Sequence, residues 1–130
     1  MNKTDFDVAI DRLFNKVNED YARWKGVAGI EGDDKIDLAI DGGRKYIKIV
    51  KLRNGRVDSV WGFIMAKDSE FLPGFKAGDI LKAASFKAPA LNRARGNIYD
   101  DEYEVNWTGP LYLSGKLSTR TEKRVLGKAV

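Results

Sequence analysis

The sequence predicts an α+β fold, with an N-terminal amphipathic helix packed on a twisted antiparallel sheet of about five strands and a half-open barrel as the variant. Three observations carry this. Apolar residues recur at three- and four-residue steps over the first 24 positions, Asn54-Gly55 sits between two alternating runs, and the rest of the chain breaks into short runs between glycines and prolines. The organisation expected is one domain over residues 1–113 and a basic, flexible tail over 114–130.

The helix begins at Thr4, an N-cap residue followed by Asp5 and Asp7, where unpaired backbone N–H groups and the helix dipole favour negative charge. Phe6, Ile10, Leu13, Phe14, Val17, Tyr21 and Trp24 form one apolar stripe, read as a core face, and Lys25-Gly26 is the expected end. Arg53-Asn54-Gly55-Arg56 then signals a hairpin, because Asn-Gly tolerates the positive φ angles of a type I′ turn. Asp41-Gly42-Gly43-Arg44 is a second hairpin candidate. With two residues in each loop, Ile49 faces Val60 and Ile36, Ile47 faces Gly62 and Leu38, and Lys51 pairs with Asp58. One sheet face then collects Ile36, Leu38, Ile40, Ile47, Ile49, Val60 and Ile64 against the helix. The other collects Asp37, Lys48 and Trp61 in one row and Ala39, Tyr46 and Phe63 in the next.

Beyond Met65 the signals weaken. Leu72-Pro73-Gly74 marks a loop, and Asp79–Ala84 reads as a fourth short strand. Ile98-Tyr99 and Tyr103–Val105 read as a broken fifth, and Leu111–Leu113 as an edge strand. The tail from Ser114 has five cations, one acid and little apolar content.

Composition removes several functions. With no cysteine and no histidine, the chain has no disulfide, thiolate or histidine acid–base chemistry and none of the usual zinc ligand sets. No apolar run reaches membrane-spanning length and no apolar segment follows Met1, so an intracellular protein without membrane association is expected. The net charge of +4 is unevenly spread. Residues 1–41 carry six cations against ten acids, a net of −4, and residues 42–130 carry seventeen against nine, a net of +8. Such a split fits a polyanion-facing surface and equally a plain solubility pattern.

The segment from Gly78 to Asp100 holds Lys82, Lys87, Arg93 and Arg95 with no acid between its two bounding aspartates. These cations, with Arg44 and Lys48, are candidate phosphate contacts, and Tyr46, Trp61 and Phe63 are a candidate stacking platform for unpaired bases. The competing reading has the long loop covering this face, Arg95 hydrogen-bonding carbonyls and Phe86 plugging a second small core. Asp33-Asp34-Lys35 and Asp100-Asp101-Glu102 offer carboxylates for a metal-dependent nuclease, but adjacent residues in a turn cannot all point at one ion. Ser85 and Lys87 could form a serine–lysine pair, though nothing singles them out. There is no phosphate loop or dinucleotide fingerprint. The expectation is therefore a non-enzymatic protein, without metal or cofactor, that binds nucleic acid, most readily single-stranded. The alternative is a protein-binding factor, either an inhibitor of an enzyme or a self-associating component.

The block from Ser59 to Leu113 also resembles a family of small, functionally uncharacterised tailed-bacteriophage proteins. The resemblance rests on Trp61-Gly62-Phe63-Ile64, on the run from Gly78 through Lys87-Ala88-Pro89-Ala90, on Arg93–Asp100, and on Gly109-Pro110 ahead of Tyr112-Leu113. It covers less than half of the chain. It implies a phage origin and a place in the cytoplasm of the infected host cell, and no activity.

Overall fold

The computed structural model describes residues 4–32, 34–69, 74–100 and 102–110. The architecture is α+β: helix α1 (Asp5–Ala28) followed by an open antiparallel sheet in the order β1 (Asp37–Ile40), β2 (Tyr46–Arg53), β3 (Arg56–Met65), β4 (Ile80–Leu81). Four strands form the sheet among the described residues, not five. Residues 95–98 do run along the free edge of β4, where Ile80 N–H donates to Gly96 O (2.8 Å) and Arg95 N–H to Ile80 O (2.8 Å). That pairing amounts only to an isolated bridge between Asp79 and Asn97, and Tyr103–Val105 forms no strand. The expected edge strand at 111–113, the tail and most of the Leu72-Pro73-Gly74 loop lie outside the described residues.

Thr4 closes the start of α1 with a capping box: its Oγ1 accepts from Asp7 N–H (3.0 Å) and its own N–H donates to Asp7 Oδ2 (3.3 Å). The helix runs past Gly26 and ends at Gly29, whose φ of 75° is left-handed. Ala9, Ile10, Leu13 and Val17 are buried with Ile49, Trp61, Ile64, Ile80, Ile98, Tyr103 and Val105 in the main core. The C-terminal part of the apolar stripe is not core. Tyr21, Trp24 and Trp107 stack on one another with ring centroids 4.8–6.0 Å apart, and Trp24 stays partly in solvent.

The Asn54-Gly55 turn forms as expected, with positive φ at both residues, 53° and 78°. Both registers differ from the two-residue-loop reading. The loop between β1 and β2 is longer, because Asp41 N–H donates to Lys48 O (2.8 Å) and Lys48 N–H to Gly42 O (2.9 Å). Ile49 therefore faces Ile40 instead of Ile36, and Asp37 faces Leu52, not Lys48. A shift of even length keeps every side chain on its expected face, so Leu38 and Ile47 still meet the helix core.

The β2–β3 pair contains two irregularities, between Ile49 and Val50 and between Lys51 and Leu52, which leave Trp61 and Asp58 as extra residues in β3. Lys51 consequently faces Ser59, and Asp58 lies near Arg53 (3.8 Å). Ile49 faces Gly62, not Val60. The bulge at Trp61 also exchanges two side chains between faces. Trp61 turns into the core under the helix, and Val60 packs on the opposite side. Gly62 completes the arrangement, since a Cβ there would lie 2.8 Å from Pro110 Cγ and 2.9 Å from Leu81 O.

Candidate nucleic-acid interface

The second sheet face is itself a small core. Phe63, Met65 and Leu81 are buried there, with Tyr46, Val60, Phe75 and Ala83 packed around them. Two members of the expected platform are thus closed to a ligand. Trp61 is 1 % exposed, with Nε1 donating to Asn106 O (3.0 Å), and Phe63 is 2 % exposed beneath the loop. Tyr46 is on the expected face but half-buried, with Lys45 Nζ 5.8 Å from its ring centroid.

The basic loop divides in the same way. Its stem is an internal polar scaffold. Asp79, fully buried, accepts from Asn97 Nδ2 (2.9 Å) and from Lys76 N–H (2.8 Å). Arg95 is 3 % exposed, with Nε donating to Arg93 O (2.9 Å) and an Nη to Asn92 Oδ1 (2.9 Å). Burial, then the nearby Arg93 charge, hold its pKa below the ordinary arginine value. Lys82 Nζ donates to Pro110 O (3.1 Å), and burial and the Arg95 charge lower its pKa too. Arg93 and Arg95 therefore do not point together as alternation on extended backbone would have them, because Arg95 folds back onto the Arg93 carbonyl.

The tip is open. Ala84 and Ser85 N–H both donate to Ala88 O, and Ser85 Oγ accepts from Lys87 and Ala88 N–H (3.2 Å each), which fixes a tight turn. That turn pushes Phe86 outward, so it does not plug the second core. It is 52 % exposed, with Lys48 Nζ 3.5 Å from its ring centroid. A cation over an aromatic face at an exposed site contributes about 0.5–1 kcal/mol. Lys87 and Arg44 are exposed and Arg93 half-buried, and no head group of the three has a partner among the described residues. The structure thus assembles Lys48, Phe86 and Lys87 at the surface, leaves Arg44 and Arg93 accessible, and withdraws Trp61, Phe63, Arg95 and Lys82. Phe86 is the residue that the platform argument missed. Its signal was its place between Ser85 and Lys87 in a polar turn, where an aromatic has little to pack against.

The acidic clusters are not assembled as metal sites among the described residues, which hold no group of three or more carboxylates placed for a metal ion. Asp33 and Asp101 lie outside them. Asp34 accepts from Lys25 Nζ (2.8 Å) and Tyr21 OH (2.9 Å), bonds that keep its pKa below the usual carboxylate value. No described helix is long and apolar enough to cross a membrane.

The chain matches no curated protein and no solved structure. A family of unknown function (DUF7717) matches residues 3–113, most of the chain, and the protein belongs to that family.

Proposed function

We propose that the protein binds single-stranded nucleic acid, without catalysis, through the tip of the Gly78–Asp100 loop. The observation that carries this reading is the half-exposed Phe86 ring, held from one side by Lys48 Nζ at 3.5 Å and followed by the unpartnered Lys87. An unpaired base stacks on such a ring, and the flanking cations meet the phosphates on either side of it. Arg44 and Arg93 extend the strip. The phage origin and host-cytoplasm location implied by the resemblance belong to this same reading. The test is a fluorescence-anisotropy titration of labelled oligothymidylate, a duplex of equal length and an RNA, at about 50 and about 200 mM salt. Single strands should bind most tightly, and three phosphate contacts should give a log–log salt slope of about −2. Absence of affinity for all three at the lower salt would sink the reading.

A second reading, a protein-binding factor, is favoured by one observation. Trp24, Val27 and Ile30 stand partly or wholly in solvent at the end of α1, with Val27 87 % exposed, an apolar group that nothing among the described residues covers.

A further inference from the structure

We propose that the outer edge of β1 is a docking site for an extended basic peptide segment of a partner protein. β1 is the terminal strand of the sheet, with β2 on one side only. Its two ends show which backbone groups turn outward. At Ile36, just before the strand, N–H donates to Asn18 Oδ1 (2.7 Å) and C=O accepts from Asn18 Nδ2 (3.2 Å), so the helix closes the edge there with one side-chain amide. At Asp41, just after it, N–H turns inward to Lys48 O. Strand alternation between these points directs the N–H and C=O of Leu38 and Ile40 outward, away from β2. The side chain of Ile40 is 45 % exposed beside them.

Charge selects the occupant. Asp37 and Asp41 flank this edge on the sheet face opposite the helix, and both are exposed without an ion pair among the described residues. A second copy that paired Leu38 with Ile40 of its twin would set Asp37 directly opposite Asp41, and like charges across a strand pair repel. A strand with cations four residues apart meets both acids. Apolar residues next to those cations then lie beside Leu38 and Ile40. Main-chain hydrogen bonds give such a complex its affinity, and the two carboxylates give it its preference.

The experiment uses the full chain, a labelled peptide Ser-Lys-Val-Thr-Ile-Arg-Ser and its charge-inverted twin Ser-Glu-Val-Thr-Ile-Glu-Ser. The basic peptide should bind and slow amide exchange at Leu38 and Ile40 by about tenfold or more at saturation, leaving Ala39 unchanged. The acidic twin should not bind the wild type. The Asp37→Lys, Asp41→Lys double variant should bind the basic peptide at least about tenfold more weakly and accept the acidic one. Both positions are exposed, so melting should be unaffected, and the exchange result on the wild type stands without the variant. Binding that leaves the Leu38 and Ile40 amides unchanged would overturn the proposal. So would protection of those amides before any peptide is added, since the edge would already be covered, by a second copy if the mass is doubled and by this chain's own residues if it is not.

Discussion

The stem and the tip of the Gly78–Asp100 loop have nearly the same composition and opposite physical roles. In the stem, Asp79, Asn97 and Arg95 are buried and hydrogen-bonded to one another's neighbourhood, so their polarity is spent inside the protein. In the tip, Phe86 and Lys87 face solvent, and their only fixed partners are a turn and the Lys48 ammonium. Counting cations in an acid-free segment cannot separate these cases. What separates them is whether a backbone carbonyl or a side-chain amide stands within reach of the charged head. Arg95 finds two such groups in its own loop, and Lys87 finds none among the described residues.

The contrast can be broken by substitution, starting with the largest expected effect. Trp61→Ala empties a site fully buried under α1 and should cost about 3–5 kcal/mol in stability. Any loss of nucleic-acid affinity in the protein that stays folded should be small, as read from chemical denaturation beside anisotropy. A stable Trp61→Ala protein with selectively weakened single-strand binding would restore the indole to the ligand surface. Arg95→Ala should come next, at about 1–3 kcal/mol, because it leaves the Arg93 carbonyl and Asn92 amide with unmade bonds. It too should act on the melting temperature and not on the salt slope of binding.

The smallest effect tests the core itself. Tyr103 is buried beside α1, and its hydroxyl has no hydrogen-bond partner. Burial pushes its pKa up to about 12, against a small opposing effect of the Arg12 charge. A folded-state pKa above the unfolded value means that stability is level below about pH 10 and falls as pH rises from there towards 12. Tyr103→Phe should remove much of that alkaline loss and raise stability at neutral pH by about 1 kcal/mol, since an unsatisfied buried hydroxyl is removed. Melts at neutral and alkaline pH check both signs. A Tyr103→Phe protein that melts lower at neutral pH would show that the hydroxyl is satisfied.

Much of the fold was legible because it follows from periodicity and turn chemistry. The helix start at Thr4, the Asn54-Gly55 turn and the aliphatic face of β2 all follow from local rules. The bulges were not legible. An extra residue at Trp61 leaves the alternation of β3 intact to the eye, and its cause, a cavity under the helix closed by Asn106 and Pro110, is far away in sequence. The same applies to the helix end. Tyr21 and Trp24 continue the stripe, but the sheet stops before they reach it, so they stack on Trp107. For the candidate interface the sequence delimited the loop and named Lys48 and Lys87, but the choice among its residues depended on tertiary partners. The carbonyl of Pro110 claims Lys82, and that pairing has no local signature.

The most direct test of the tip as the binding surface is a paired measurement on the Phe86→Ala, Lys87→Ala double variant: its melting temperature, and its affinity for oligothymidylate at two salt concentrations. The account predicts an unchanged melting temperature, because both side chains are exposed. It also predicts an affinity lower by about 1–3 kcal/mol from the lost stacking, with the salt slope flattened by about 0.7 from the lost phosphate contact. An unchanged affinity with an unchanged slope would contradict it, and would move any nucleic-acid binding away from this loop.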